Sequence, residues 1–264
     1  MNIVVCIKQV PDTTDVKIDP KTGTLIREGV PSIINPDDRH AIEEGLRLKE
    51  KHGGRVVVLS MGPPQAMDAL METKAMGVDE CYLVSDRAFA GSDTLATSYA
   101  LARCVQTTGA WDVVICGRQA IDGDTAQIGP QMAEALGVPQ VTYAIEIKID
   151  GKHVVAKRAL EDGYEVIETQ LPALFTVINE INKPRYPTVK GIVSVCRDCN
   201  IQTWTAKDIG ASPKMCGLNG SPTQVARTFA PEPKGAGVIY KGAAEQNVKD
   251  LVKALRAKNV VRVR

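Results

Sequence analysis

The sequence predicts an α/β fold built on a doubly wound, mostly parallel sheet, with an added antiparallel hairpin region and a C-terminal arm. Two observations carry this reading. Up to about residue 140, short β-branched apolar runs alternate with longer amphipathic stretches. Continuous apolar runs suit parallel strands covered on both faces, and a β-α-β-α order winds such a sheet. Beyond that point the chain changes to consecutive extended segments joined by turn residues, the pattern of hairpins.

The strands of the first part are residues 3–7, 56–59 and 113–116, with 81–84 a weaker case. The first helix fits residues 36–50, with Ile42, Leu46 and Leu48 near one face. Asn35 is placed to cap it, Pro36 to take its first position, and Asp37 and Asp38 suit the positive end of its dipole. A second helix, residues 65–76, puts Met67, Leu70 and Met71 on one face and stops at Gly77, a left-handed cap. A third, about 93–105, aligns Leu95, Tyr99, Ala102 and Val105, and a fourth precedes Gly137. Residues 141–149, 154–159 and 165–169 read as extended, with Asp150-Gly151 a hairpin turn and 173–178 a further core strand. Pro, Gly and Ser thicken over residues 212–242, an ordered loop or an arm across a partner. A last helix fits 245–257, with Val248, Leu251, Val252 and Leu255 on one side. The expected division is an α/β domain over residues 1–230, its hairpin region at about 141–170, and an arm with a helix over 231–264.

Composition excludes several functions. The 264 residues carry 32 basic and 31 acidic side chains, a net of +1, so no basic excess marks a general nucleic-acid binder. Aromatics at 4% leave too few rings for a base-stacking platform. Seven scattered cysteines (Cys6, Cys81, Cys104, Cys116, Cys196, Cys199 and Cys216) follow no secretory signal, because the apolar run at 3–7 meets Lys8 at once. No stretch approaches the roughly 18 apolar residues of a membrane span. A reducing cytoplasm is the expected compartment.

The densest polar signal is Gly117-Arg118-Gln119-Ala120-Ile121-Asp122-Gly123-Asp124-Thr125-Ala126-Gln127-Ile128-Gly129-Pro130. It follows a predicted strand, where open α/β sheets bind ligands. Pro130 belongs near a helix start, which leaves the amides before it free. Gly117, Gly123 and Gly129 would let that backbone approach a phosphate at the helix end. An ordinary strand-to-helix loop with glycine turns fits equally, because the spacing matches neither the dinucleotide fingerprint nor the P-loop. A second junction, Gly91-Ser92-Asp93-Thr94-Leu95-Ala96-Thr97-Ser98, is rich in hydroxyls, although Ser92 or Asp93 can simply cap the helix. Residues 35–38 and 60–62 occupy equivalent junctions, and the four together would outline a nucleotide crevice. The lone pair Cys196 and Cys199 lacks the partners of a zinc site, so free thiols are expected. His40, His52 and His153 read as surface residues.

The stretch Ala156 to Thr176 resembles the signature of the electron transfer flavoprotein beta subunit, at Arg158, Glu161, Asp162, Gly163, Glu165, Ile167, Pro172 and Thr176. Phe175 departs from the aliphatic usual there. The opening Val-Cys-Ile-Lys-Gln-Val-Pro-Asp, the pair Asn35-Pro36, the 117–122 loop, Asn182-Lys183-Pro184-Arg185-Tyr186 and Gly220-Ser221-Pro222-Thr223-Gln224-Val225 also look like that family. The resemblance implies a Rossmann-like domain carrying an adenine nucleotide, in a heterodimer with an alpha subunit. Within the family, residues 89–98 and 122–127 are similar to the electron-bifurcating branch of anaerobes, whose beta subunit holds FAD and oxidises NADH. The other branch holds a structural AMP, lacks the former stretch and usually has an acid where Gly123 stands.

Carried over residue by residue, the resemblance places Cys6, Asn35, Asp38 and Met61 about the adenosine. Residues Gly117, Arg118, Gln119, Ala120, Ile121, Asp122, Gly123, Asp124, Thr125, Ala126, Gln127 and Ile128 would wrap the adenine and diphosphate, and Asp93, Thr94 and Thr97 the flavin side. Residues 178–186 resemble the loop that docks a partner dehydrogenase, with Ile181 as its aliphatic anchor beside Asn182, Pro184, Arg185 and Tyr186. Pro184 and Pro187 also explain that loop as a rigid surface turn. The implied partners are the alpha subunit, ferredoxin or flavodoxin, and an acyl-CoA dehydrogenase or reductase or a flavin-dependent lactate dehydrogenase. No catalytic side chain and no metal are expected, since the chemistry belongs to the cofactor.

Overall fold

The computed structural model describes residues 1–12, 31–226, 235 and 237–261. These fall into two units, Met1–Ala226 and Arg227–Arg264.

In the first unit the strands are β1 (Asn2–Ile7), β2 (Gln9–Pro11), β3 (Ser32–Ile34), β4 (Arg55–Met61), β5 (Glu80–Val84), β6 (Val113–Gly117), β7 (Gln140–Asp150), β8 (His153–Leu160), β9 (Gly163–Gln170), β10 (Ala173–Val177) and β11 (Gln202–Trp204). Its helices are α1 (Pro36–His52), α2 (Met67–Met76), α3 (Thr94–Thr107), α4 (Ile128–Leu136) and α5 (Val189–Arg197). Among the described residues nine strands form one sheet in the order β11-β5-β4-β1-β6-β10-β7-β8-β9, and β2 pairs with β3 separately. All pairs from β11 to β7 are parallel; β7-β8 and β8-β9 are antiparallel. The chain winds from β1 outward through β4 and β5, then returns to the other side of β1 with β6. That reversal makes the gap between β1 and β6 a topological switch point. The fold is Rossmann-like α/β, as expected.

Strand β1 shows why apolar runs alone mark this sheet. Ile3, Val5 and Ile7 enter a core shared with Ile42 and Leu46 of α1 and Leu70 of α2. Val4 and Cys6 point the other way, into a core with Leu101 and Val105 of α3 and Met132 of α4. Each fully buried Val or Ile contributes about 1.5–3 kcal/mol of hydrophobic stabilisation. Helix α2 ends at Gly77 (φ 114°) and α4 at Gly137 (φ 68°), both left-handed as the turn chemistry predicts.

Two local expectations change. Asn35 makes no side-chain cap on α1, because its amide reaches elsewhere, as described below. On α3 Ala102 and Val105 are buried as expected, but Ala96, Ala100, Leu101 and Cys104 join them while Leu95 is exposed. Small residues let α3 lie close to the sheet, and that demand overrides size as a guide to the buried side.

Residues 212–226 are held on their own unit. Asp93 Oδ2 accepts the Thr223 amide at 3.0 Å and its hydroxyl at 2.8 Å, the Asp93 amide donates to Ser221 Oγ at 2.8 Å, and Cys216 is buried in the α3–α4 core. The rest of the 212–242 stretch at 227–234 and 236, and residues 262–264, lie outside the described residues. The second unit contains α6 (Ala244–Ala257), one residue longer at its start than expected; within this unit Val248 and Leu251 are exposed.

Candidate functional site

The loop after β6 leaves the sheet at the carboxyl edge of the switch point, and side chains from α1 fasten its root. Asn35 Nδ2 donates to the Gln119 carbonyl at 2.8 Å and Asn35 Oδ1 accepts the Ile121 amide at 3.1 Å. Asp38 Oδ1 accepts the Gly117 amide at 3.0 Å, and Oδ2 accepts the Lys8 amide at 2.7 Å. Burial pushes the Asp38 carboxyl up to about 7, against the pull of those amides. Lys8 Nζ pairs with Asp122 at 2.7 Å. Arg118 Nε lies 3.4 Å from Asp37 Oδ2, and its guanidinium stands 5.9 Å from the centre of the Tyr143 ring. Burial raises the Asp37 carboxyl and Arg118 opposes it. Tyr143, at φ 55°, is a large residue in left-handed backbone, a conformation that clusters at functional sites.

The far half of the loop turns back on itself. The Gly123 and Asp124 amides donate to the Ala120 carbonyl at 3.3 and 2.9 Å, and Gln119 donates to Asp124. Asp124 and Ala126 take φ of 52° and 53°, and Gln127 follows in the right-handed region. Such a left-then-right pair turns successive amides toward one point and forms an anion nest. The amides of Thr125, Ala126, Gln127, Ile128 and Gly129 meet no acceptor among the described residues. They lie at the positive end of α4, so a phosphate fits there on both charge and hydrogen bonding.

The three loop glycines separate into two kinds. A Cβ on Gly117 would stand 2.4 Å from Asp38 Oδ1, and one on Gly129 2.3 Å from Thr176 Cγ2, so the fold itself demands both. A Cβ on Gly123 would meet nothing within 4 Å. Nothing in this chain requires glycine at 123.

Helix α3 closes the other side. Thr94 Oγ1 donates to Gln127 Oε1 at 2.8 Å, joining the two junctions. Asp93 caps α3 through Ala96 N at 3.1 Å, and its second oxygen holds Thr223. Thr97 is half-buried, without a side-chain hydrogen bond among the described residues. Ser98 is buried and bonded to Gln131 Oε1 at 3.2 Å, so it does not line the crevice. Met61 stands half-exposed at the end of β4. Cys6 is buried below the edge, its thiol pushed well up by burial.

A second group hangs on the same helix. Asn182 is buried and donates to the His40 carbonyl at 3.0 Å and to Glu44 Oε2 at 3.1 Å, while His40 Nδ1 lies 3.2 Å from Asn182 Oδ1. His40 is therefore half-buried and bonded, not a simple surface histidine. Arg185 pairs with Glu43 at 2.8 Å and Glu50 at 2.5 Å. Ile181 packs against the core. Pro184 is half-buried and Tyr186 is exposed. Beyond Tyr186, α5 exposes Val189, Ile192 and Val193. Sequence reasoning missed that apolar stripe, although its i, i+3, i+4 spacing is visible in the chain. It also missed Tyr143, for which only the backbone gives a signal.

Residues 22–208 match the family described as the electron transfer flavoprotein domain. The chain belongs to the electron transfer flavoprotein family, on its beta-subunit side. Among similar members, an "Electron transfer flavoprotein subunit beta" of Thermoanaerobacterium thermosaccharolyticum is 54% identical over 261 residues, 99% of this chain and 100% of that protein. The "Caffeyl-CoA reductase-Etf complex subunit CarD" of Acetobacterium woodii is 54% identical over 263 residues, with the same coverage. The "Acryloyl-CoA reductase electron transfer subunit gamma" of Anaerotignum propionicum is 46% identical over 269 residues, covering 99% and 100%. The resemblance seen in the sequence is thus a family membership. No helix among the described residues is long and apolar enough to cross a membrane.

Proposed function

We propose that this electron transfer flavoprotein subunit holds FAD in the crevice between β1 and β6 and takes part in electron bifurcation with NADH as the donor. The observation that carries the nucleotide is the run of amides from Thr125 to Gly129, at the start of α4, that meet no acceptor among the described residues and suit a diphosphate. Open space at Gly123 supports a ligand larger than the fold alone needs. An AMP-holding subunit of a simple electron carrier is the second reading, favoured by the phosphate nest alone. The stretch 89–98 and a glycine in place of an acid at 123 support FAD over it.

FAD held there would supply the hydride-accepting and one-electron chemistry, with NADH as donor and with ferredoxin or flavodoxin and, through the alpha subunit, a partner flavin enzyme as the proposed acceptors. This chain's residues do the rest. The 125–129 amides bind the diphosphate; Asn35 and Asp38 hold the loop; Arg118 places a cation at the crevice edge; Thr94 with Gln127 ties α3 to the loop. Asn182 and Arg185 fix the docking segment on α1, and Tyr186, Val189, Ile192 and Val193 form its contact face, while Ile181 supports it from below. The names of two relatives support a reductase as the partner enzyme. The C-terminal arm over residues 231–264, with the exposed apolar side of α6, covers the alpha subunit.

Purifying the complex with its alpha partner and counting extracted nucleotides tests the reading. Two FAD per heterodimer is the expected result. One FAD with one AMP refutes bifurcation here and leaves the structural-nucleotide reading.

A further inference from the structure

We propose that Asp38 is a positioning residue that wedges the switch point open and fixes the root of the 117–127 loop without touching the nucleotide. The functional consequence rests on the nucleotide reading above; the wedge itself does not.

The ladder between β1 and β6 stops at Cys6 opposite Cys116. Just past that pair, the Lys8 amide on one strand and the Gly117 amide on the other both donate to one carboxylate, at 2.7 and 3.0 Å. There the two chains part from each other with Asp38 between them, while Ile7 stays paired with Ser60 of β4 and Gly117 with Val177 of β10. The seat is closed: Asp38 is 5% exposed, and Gly117 is glycine because a Cβ there would overlap Asp38 Oδ1. Asp38 therefore stands behind the loop root, so its effect on a ligand passes through Gly117 and the residues after it.

Charge state decides whether the wedge holds. An ionised carboxylate accepts on both oxygens, so it can serve two amides at once. A proton on one oxygen, or an NH₂ in its place, sets a donor against a donor and releases either Lys8 or Gly117. Among the described residues no basic side chain pairs with Asp38. The titratable groups that face it are Asp37 on its own helix, which is turned to Arg118, Cys6 on β1 and Cys116 on β6. Both thiols are pushed up by burial and remain neutral, so they supply no compensating charge change near neutral pH.

The test is amide hydrogen exchange on the complete complex with its alpha partner, as wild type, Asp38→Asn and Asp38→Glu, with FAD and AMP affinities measured on the same samples. At pH 8, Asp38→Asn should speed exchange at Lys8 or Gly117 about tenfold or more, the effect of one lost buried hydrogen bond, with Val4 and Val114 unchanged. Corrected for intrinsic rates, the wild type should show the same loosening as pH falls from 8 to 6, through the Asp38 value of about 7. Asp38→Asn should show no such step. FAD affinity should fall in parallel. Exchange in Asp38→Asn that matches wild type at pH 8 overturns the wedge, and a wild-type pH series without the step, which needs no variant to fold, overturns its dependence on charge. If exchange changes as expected but no form binds FAD or AMP, the wedge stands and the nucleotide reading fails.

Discussion

Two alanine substitutions six residues apart should have opposite effects. Gly117→Ala places a methyl 2.4 Å from Asp38 Oδ1 and 2.8 Å from the Asp37 backbone, in a fully packed place. Overpacking of this kind costs about 1–3 kcal/mol. For a unit of this size each kcal/mol moves the melting point by about 2–4 °C, so the expected drop is about 2–12 °C. Gly123→Ala meets nothing within 4 Å and needs no left-handed backbone. It should leave the melting point unchanged or raise it, since alanine restricts the unfolded chain by about 0.4–1 kcal/mol. A ligand that approaches the 123 backbone would meet the new methyl, and a loss of about 1.4 kcal/mol weakens binding tenfold. Thermal unfolding without nucleotide, followed by calorimetric titration of the complex with FAD and AMP, separates the two effects. Gly117→Ala melting with wild type would refute the packing argument. Gly123→Ala binding both nucleotides as wild type does would remove the crevice reading at that point of the loop.

Arg185→Ala should destabilise the first unit by about 3 kcal/mol, the lower end for breaking a buried pair, because Glu43 is buried but Arg185 is one-third exposed. Burial raises the Glu43 carboxyl, but Arg185 and Arg47 outweigh it and hold it below 4.5. The stability it contributes is thus complete above its unfolded value and is lost as pH falls through the lower folded value. Urea unfolding from pH 7 down to 3 should show a smaller loss of stability in Arg185→Ala than in wild type, since Arg47 alone remains on Glu43; equal losses would refute the pairing argument. Asp93→Ala removes the α3 cap, worth about 1 kcal/mol, together with both bonds to Thr223. Limited proteolysis should then cut within residues 212–226 faster than in wild type; equal rates would show that buried Cys216 and the bonds to Ser212, Gly217 and Ser221 secure the segment without the Asp93 carboxylate.

What could be read from the chain, and what could not, follows from the range of the forces involved. Apolar runs and the glycines at 77 and 137 are local signals, and the parallel strands and helix stops they predict are present. The hairpin region was legible for the same reason: Gly151 turns at φ 58° between β7 and β8. Short elements were not: β2, β3 and β11 have three residues each, too few for a period to show. Asn35 illustrates a harder failure. Its residue type and position both say cap, yet its amide spans to Gln119 and Ile121, more than 80 positions away in the chain. Only tertiary contact decides between those uses.

The same long reach explains why two groups of residues singled out on separate grounds share one scaffold. The start of helix α1, with Asn35 just before it and Asp38 in its first turn, secures the loop after β6. Its next turns, with Glu43, Glu44 and Glu50, secure the segment after β10 through Asn182 and Arg185. Both targets leave neighbouring parallel strands, β6 and β10, which α1 packs across. One helix whose polar side chains hold both strand exits thus fixes both loops to a single scaffold. The buried acids of α1 are therefore explained by what they position: each has a backbone or side-chain donor from a loop that carries part of the candidate function.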